Sequence, residues 1–223
     1  MPRFARAIAV GSPHHVTQRG TDRECVFFTK SDREVYLDLL RTSGRQASLR
    51  ILAYCLMPNH IHLVAEPDAP DSLSVALRRT HGRYAIYLNA RRGRTGHLWQ
   101  NRFYSCALDG SHLPAALRYV ERNPVRAQLA PHAEEYPWSS AAAHLNGHDP
   151  QDILDMSFWQ NWGTEGWSSL LASPEELDAI RALQRGTFTG RPIGNTAFID
   201  QLEAQLERKL RPQQGMRVRA AAA

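Results

Sequence analysis

The stretch Tyr54-Cys55-Leu56-Met57-Pro58-Asn59-His60-Ile61-His62-Leu63-Val64 decides the fold of this 223-residue chain. A proline and an asparagine in its middle are turn residues, and apolar runs lie on both sides of them. This pattern predicts two buried strands joined by a tight turn. Because side chains alternate faces along a strand, we expect His60 and His62 on one face and Ile61 on the other. Two imidazoles on a buried strand need partners, since unpaired buried polar groups are costly.

The segments around this stretch alternate between strand and helix patterns. Residues 14–20 alternate as a first strand, and a helix is expected from Ser31, with Glu34 completing a capping pair, to about Gly44. The remaining patterns predict a helix over 71–89, a strand over 102–108 and a helix from 111 or 112 to about 123. The order β-α-β-β-α-β predicts an α+β fold, the ferredoxin-like split βαβ arrangement with an antiparallel central sheet.

The C-terminal third has a different character. It is rich in turn residues and tryptophan, and helices are expected from Ser173-Pro174 onward and over 196–210. From residue 181 to the end there are eight Lys and Arg against three Asp and Glu. We therefore predict a catalytic domain over 1–150 and a helical, basic, DNA-binding extension over 151–223, with a boundary anywhere between about 150 and 173.

Composition narrows the class of protein. The chain is 43% hydrophobic and 22% charged, as in ordinary soluble proteins, and its net charge of +5 favours an anionic partner. Three widely spaced cysteines argue against a disulfide framework. The sequence lacks an apolar run of membrane-spanning length, a targeting segment and the glycine-rich phosphate loop of nucleotide-binding proteins. We expect a cytoplasmic, nucleoid-associated protein with no membrane partner and no nucleotide cofactor.

A long acid-free segment is the clearest sign of a nucleic-acid partner. Residues 72–108 contain seven arginines and no Asp or Glu. Guanidinium groups match phosphate oxygens, and interspersed aromatic side chains can stack on exposed bases. The alternative is a solvated helix face with core aromatics, which we expect at least for Tyr84 and Leu88.

The third expected helix carries a candidate nucleophile. Tyr119 and Asn123 are four residues apart, which places them on one helix face. A tyrosine phenol can form a covalent phosphodiester with DNA when a metal or base stabilises the phenolate. The alternative for Tyr119 is a half-buried core aromatic.

Four segments together resemble one protein family. They are PNHIHLV at 58–64, HLWQNRF at 97–103, YVERNPVRA at 119–127 and YPWSS at 136–140. In this order they resemble REP-associated tyrosine transposases, which belong to the single-tyrosine branch of the HUH endonucleases. The resemblance extends over about residues 5 to 145.

The resemblance implies a function and a site. Such an enzyme cleaves and rejoins single-stranded DNA at REP-like palindromic hairpins through a covalent 5′-phosphotyrosine. By position, Tyr119 corresponds to the nucleophile, His60 and His62 to metal ligands, and Asn123 to a third ligand. Imidazole and amide ligands leave coordination positions open for phosphate oxygens, which suits Mg²⁺ or Mn²⁺, while Zn²⁺ stays an alternative.

We expect hairpin or single-stranded DNA as the partner, bound by a monomer or a homodimer. The residues expected to contact DNA are Arg19, Arg78, Arg79, Arg83, Arg91, Arg92, Arg94, Trp99, Arg102 and Arg191.

Three alternative functions compete with this interpretation. A two-histidine phosphoesterase needs two H-x-[ST] motifs; the chain has one at His15-Val16-Thr17, but His62 replaces the hydroxyl residue in the second. A two-tyrosine nuclease would use Tyr84 and Tyr87. A domesticated, catalytically inactive protein would bind DNA hairpins without cutting them.

Overall fold

A single antiparallel sheet is the centre of the fold. The computed structural model describes residues 6–160 and 165–211. Its strands are β1 (His14–Arg19), β2 (Leu49–Met57), β3 (His60–Pro67) and β4 (Tyr104–Ala107), in the spatial order β2-β3-β1-β4. Helices α1 (Lys30–Gln46) and α2 (Ser72–Arg92) complete the chain order β1-α1-β2-β3-α2-β4. Every strand pair is antiparallel, which confirms the ferredoxin-like α+β prediction.

Helices α3 to α9 follow the sheet in the described part of the chain. They are α3 (Leu113–Glu121), α4 (Asn123–Arg126), α5 (Ala141–Asn146), α6 (Met156–Gln160), α7 (Glu165–Ala172), α8 (Leu177–Thr189) and α9 (Thr196–Gln205). Among the described residues, none of these helices or the two before them is long and apolar enough to cross a membrane. The expected basic tail beyond Arg211 lies outside the described residues.

The sheet has helices on both faces. Ile61 and Leu63 pack with α1 and α2 in one hydrophobic cluster, whereas Val64 packs with α3 in another. Helix α8 contacts β4 and β1 on the α3 face. The alternation predicted for the central stretch is therefore confirmed, and His60 and His62 project towards the face that α3 and α8 cover.

The turn between β2 and β3 is held by a neighbouring loop. The N–H of Gly20 donates to the Asn59 carbonyl at 2.9 Å, and the N–H of Val26 donates to the Pro58 carbonyl at 2.9 Å. A Cβ atom on Gly20 would come within 2.4 Å of the Glu24 carbonyl oxygen. Glycine is required here because the two chain segments approach so closely.

Helix α1 begins with a different cap from the one expected. Thr29, not Ser31, is the N-cap residue, and it forms a reciprocal capping box with Asp32 instead of Glu34. Asp32 is 1% exposed and also pairs with Arg91 at 3.0 Å. Burial opposes ionisation of this carboxyl, but backbone N–H donors at Phe28 and Thr29 and the charge of Arg91 outweigh it and lower its pKa.

Two helix boundaries near the C-terminus also differ from expectation. Helix α8 begins at Leu177, because Ser173 forms other hydrogen bonds instead of capping it. The Ser173 hydroxyl donates to the Leu170 carbonyl and accepts from the Arg118 guanidinium. Helix α9 ends at Gln205 rather than near residue 210. The carboxylate of Glu203 accepts the N–H of Leu210 at 2.6 Å, which folds the chain back on the helix.

The third expected helix is divided in two. Helix α3 ends at Glu121, and Asn123 and Pro124 begin the separate helix α4. Proline lacks the N–H that helix continuation needs, yet its fixed φ suits a first turn. The expectation that Tyr119 and Asn123 share one continuous helix was therefore wrong, although the break is a single residue long.

The boundary between catalytic domain and extension stays a prediction, but the segments on its two sides are in contact. Ile153 and Leu154 pack with the α1–α2 cluster, and Leu154 pairs with Ile51 of β2.

A buried carboxylate ties α3 to the helices that follow. Glu121 is fully buried and accepts hydrogen bonds from the Ser140 hydroxyl at 2.5 Å and the Trp167 indole N–H at 2.8 Å. His144 Nδ1 lies 2.5 Å from the same carboxylate, and its ring stacks on Trp159 at 3.9 Å. This network joins two of the motifs noted in the sequence, YVERNPVRA and YPWSS.

Removal of this carboxylate should strongly destabilise the protein. Glu121→Ala removes the buried carboxylate that Ser140, His144 and Trp167 surround, so we expect a loss of about 3–5 kcal/mol in the free energy of unfolding, measured with urea. The exposed Glu134 is the control, and Glu134→Ala should change stability by less than about 0.5 kcal/mol. A loss below about 1 kcal/mol for Glu121→Ala would show that the network contributes little.

Candidate functional site

Two histidines and a tyrosine meet on the face of the sheet that α3 covers. The ring centroids of His60 and His62 are 5.0 Å apart, and those of His62 and Tyr119 are 5.4 Å apart. His62 is 6% exposed and Tyr119 is 7% exposed, while His60 is half-buried at the start of β3. The sheet fixes the imidazoles and α3 brings the phenol over them, so the structure brings together three residues that the sequence predicted.

The proton positions on His60 follow from its neighbour. His60 Nδ1 lies 2.6 Å from Asn59 Oδ1, and the Asn59 amide nitrogen donates to the Arg23 carbonyl at 3.0 Å. The amide orientation leaves Oδ1 as an acceptor, so His60 Nδ1 carries the hydrogen. The lone pair of His60 is then on Nε2.

The histidines of the site are uncharged at neutral pH. Burial and then Arg19 lower the pKa of His60 to about 4. Burial and then the neighbouring His60 and His15 hold the pKa of His62 well below its usual range. Neutral imidazole is the form that binds a metal ion.

A third imidazole is present that the site prediction did not include. His15 of β1 is 1% exposed, and its Nε2 lies 3.0 Å from His62 Nδ1. Its Nδ1 lies 2.7 Å from the hydroxyl of Thr187 on α8. Gln184, one turn earlier on α8, donates to the Tyr119 hydroxyl at 3.4 Å. The H-x-T motif at residues 15–17 was the available signal for His15, but it pointed to another enzyme class.

Asn123 lies beside the tyrosine but is engaged by the backbone. Its amide nitrogen donates to the Tyr119 carbonyl at 3.0 Å and the Val120 carbonyl at 3.3 Å. The oxygen end of the amide is therefore the atom that can serve as a ligand. The Arg126 guanidinium lies 4.2 Å from the Tyr119 ring centroid and donates to the Tyr119 carbonyl at 2.6 Å.

The donor set suits a divalent cation with open coordination positions. Both His60 and His62 use Nδ1 for hydrogen bonds, which leaves Nε2 for a ligand bond. No group of three or more His, Cys, Asp or Glu side chains is arranged to hold a metal ion in the described ranges. The remaining ligands would be oxygen atoms of another kind, such as an amide, water or phosphate.

Comparisons with known proteins identify the family of the chain. The family model described as "Transposase IS200 like" matches residues 12–123, which includes β1, both histidines and Tyr119. The chain belongs to the IS200-like transposase family. No curated protein matches its sequence significantly.

Solved structures show the fold of this transposase. A structure of a REP-associated tyrosine transposase bound to a REP hairpin is 19% identical with a TM-score of 0.57, over 68% of this chain and 90% of that chain. A candidate transposase from Deinococcus radiodurans R1 is 16% identical with a TM-score of 0.38, over 57% of this chain and 92% of that chain. The first likeness supports the α+β fold, and the second is too weak to support a conclusion.

Most of the expected DNA-binding arginines of the transposase lie across the sheet from the histidines. Arg78, Arg79, Arg83, Arg91 and Arg92 are exposed on α2, which packs on the opposite face. Three arginines also have neighbours within the protein: Arg91 pairs with Asp32, Arg94 with Glu24 at 2.8 Å, and Arg92 covers the Phe28 ring at 3.6 Å.

The aromatic residues of the acid-free segment 72–108 are more buried than a surface that stacks on DNA bases requires. Tyr84 is fully buried and donates its hydroxyl to the Val26 carbonyl. Trp99 is half-buried, donates its indole N–H to the His81 carbonyl at 3.1 Å and packs on the His81 ring at 4.7 Å. Tyr84 and Tyr87 pack in the α1–α2 cluster, away from His60 and His62, which argues against a two-tyrosine site on α2.

A cleft of about 480 Å³ opens on the α2 face. Its lining includes Arg6, Arg78 and Arg102 as cationic residues and Gln18 from β1. Arg19, the next residue on β1, is exposed and pairs with His60 across the strands. Arg191 is half-buried just after α8, on the side of the sheet opposite the cleft.

Proposed function

We propose that this transposase is a metal-dependent nuclease and strand transferase that cleaves and rejoins single-stranded DNA at REP-like hairpins. The observation that supports this most is the Tyr119 ring 5.4 Å from the His62 ring, which is itself 5.0 Å from the His60 ring. The REP hairpin bound to the protein of similar fold makes hairpin DNA the natural substrate to test.

The chemistry needs one nucleophile and no external energy source. The Tyr119 hydroxyl oxygen attacks the phosphorus atom, and the bond from phosphorus to the 3′ oxygen breaks. The phenol proton passes to water, and the departing 3′ oxygen takes a proton from water. The products are a 5′-phosphotyrosine and a free 3′-hydroxyl, and attack by another 3′-hydroxyl reverses the step.

Each side chain of the site has a part in this reaction. His60 and His62 would hold Mg²⁺ or Mn²⁺ through Nε2, with Asn123 Oδ1 as the proposed third ligand. When bound, the cation polarises the scissile phosphate as a Lewis acid. Arg126 holds the Tyr119 ring and main chain, and its guanidinium also pairs with Glu175 at 2.6 Å.

We place the double-stranded part of the hairpin on the α2 face and the scissile strand on the histidine face. Gln18 and Arg19 are consecutive on β1, so they project to opposite faces of the sheet. Gln18 lines the cleft, and Arg19 lies beside His60. A DNA strand that leaves the cleft can therefore pass around the end of β1 and reach the histidines. Arg19 lies on that path.

Loss of two cleft arginines should weaken hairpin binding in a salt-dependent way. Each phosphate contact steepens the plot of log K against log salt by about 0.7–0.9, so Arg78→Ala combined with Arg102→Ala should flatten the slope by about 1.5. Fluorescence anisotropy at several KCl concentrations measures this slope. The control is Arg45→Ala, which removes an arginine of α1 that pairs with Asp152. An unchanged slope in the double variant would exclude the cleft from the DNA-binding surface.

A second candidate function is hairpin binding without cleavage. It is favoured by the burial of the phenol, because Tyr119 is only 7% exposed beneath α8. Such a protein would bind the hairpin equally well in EDTA and in Mn²⁺ and would form no adduct.

One experiment separates the two functions. The protein is incubated with labelled hairpin oligonucleotides from beside its own gene, in Mn²⁺, Mg²⁺ or EDTA, and analysed on a denaturing gel. We expect a covalent adduct in either metal and none in EDTA, with the nucleotide mapped by mass spectrometry to the peptide that contains Tyr119. Hairpin binding without any adduct in either metal would instead support the binding function.

A further inference from the structure

Helix α8, which lies outside the residues that the family model matches, makes a hydrogen-bonded contact with the histidine face of the sheet. The matched residues are 12–123, whereas α8 is Leu177–Thr189. Thr187 on this helix is 2% exposed and lies against His15, which in turn contacts His62. The chain of contacts Thr187–His15–His62 therefore links the C-terminal part of the protein to one of the two proposed metal ligands.

The direction of each hydrogen bond can be deduced from the Thr187 end. The Thr187 hydroxyl lies 2.8 Å from the Leu183 carbonyl, which can only accept, so the single hydroxyl proton is donated there. The hydroxyl oxygen must then accept from His15 Nδ1 at 2.7 Å and from the Cys106 thiol at 3.2 Å. Its two lone pairs and its proton are all used, so His15 carries a hydrogen on Nδ1.

The direction of the hydrogen bond between His15 and His62 follows from the burial of His15. An imidazolium ion with Thr187 and His62 as its ring partners would be a buried charge without a counter-ion, which is costly. His15 is therefore neutral, and because its hydrogen is on Nδ1, its Nε2 is an acceptor. His62 Nδ1, 3.0 Å away, must then be the donor. The lone pair of His62 is consequently on Nε2.

We infer that Thr187 and His15 form a relay that holds His62 in the tautomer with hydrogen on Nδ1 and leaves its Nε2 free to bind the cation. Thr187 and His15 are positioning residues, and α8 is part of the metal site. This inference rests on the proposed function only in naming a cation as the species that His62 binds. His60 obtains the same tautomer from its sequence neighbour Asn59, whereas His62 obtains it from a residue 125 positions away.

The wild-type protein provides the first test. Long-range ¹H–¹⁵N NMR spectra of ¹⁵N-histidine-labelled protein report which ring nitrogen carries the hydrogen, without metal or DNA. We expect the Nδ1–H tautomer for both His15 and His62. An Nε2–H tautomer at His62 would overturn the relay, whatever the activity of the enzyme.

The second test removes one hydroxyl group. Thr187→Val keeps the side-chain shape and frees His15 to adopt the other tautomer, so we expect Nε2–H at His62 to become populated. Mn²⁺ affinity, measured by electron paramagnetic resonance, should fall about 10–100-fold, while hairpin affinity is unchanged. Thr187→Ser restores the hydroxyl and should restore both the tautomer and the Mn²⁺ affinity.

A matched control lies on the same helix. Thr189 donates its hydroxyl to the Arg185 carbonyl at 2.8 Å and contacts no histidine of the site in the described structure, so Thr189→Val should leave the spectra and Mn²⁺ affinity unchanged. Unaltered tautomers in Thr187→Val, or equal changes in both variants, would overturn the relay. Wild-type protein that shows the Nδ1–H tautomer at His62 but binds no Mn²⁺ would support the relay and overturn the proposed cation site.

Discussion

Tyr119→Phe should abolish the covalent protein–DNA adduct completely while hairpin affinity stays within about twofold. The substitution removes one oxygen atom, and the ring keeps its contacts with His15, His62 and Arg126. Under the proposed function the missing oxygen is the atom that attacks phosphorus, and no other side chain can replace it without a change in geometry. Denaturing gel electrophoresis of Mn²⁺ reactions measures the adduct, and anisotropy measures the affinity.

Tyr104 offers a matched control for this experiment. It lies on the same face of the sheet, half-buried and stacked with Phe188, so Tyr104→Phe alters a nearby phenol without touching the proposed nucleophile. We expect wild-type adduct yield from this variant. If the adduct survives in Tyr119→Phe, the nucleophile is another residue and the proposed mechanism is wrong.

His62→Ala should remove cation binding together with cleavage. The variant loses one of the two proposed imidazole ligands and also leaves His15 Nε2 without its partner. We therefore expect Mn²⁺ affinity to fall by more than the ~10–100-fold that loss of an outer-shell contact costs, and the adduct to disappear. Hairpin affinity in EDTA should stay near the wild-type value, because the expected arginine surface lies across the sheet.

The control for His62→Ala is His148→Ala, which removes an exposed histidine near the end of α5. Isothermal titration with Mn²⁺ measures the affinity of each variant, and the gel assay measures cleavage. Cleavage that persists in His62→Ala at wild-type Mn²⁺ concentrations would exclude this histidine as a ligand.

Local sequence patterns predicted the centre of the fold because the information there is local. A turn expected at residues 57–59 between apolar runs predicted the β2–β3 hairpin, although Met57 is the last residue of β2, and strand alternation placed His60 and His62 together. The position of Tyr119 opposite them came from the family resemblance, since no local pattern relates a helix residue to a strand more than fifty positions earlier.

The parts that sequence patterns missed depend on long-range contacts. His15 and Thr187 are 172 residues apart, and no spacing rule connects them. The arginine-rich segment was recognised by composition, but composition does not tell which face of the sheet a helix covers. Helix starts shifted where Thr29 replaced Ser31 as the cap and where Ser173 turned to other partners, because several residues nearby could cap equally well.

The alternation of side chains along β1 has a consequence for where DNA would be cut under the proposed function. Gln18 and Arg19 belong to one stiff strand, yet their side chains serve opposite sides of the sheet. Under the proposed function, the nucleotides that link a docked hairpin to the scissile phosphate span a length set by the protein. The fold then acts as a molecular ruler: cuts would fall a constant number of nucleotides from the hairpin base, even when the linking bases are exchanged.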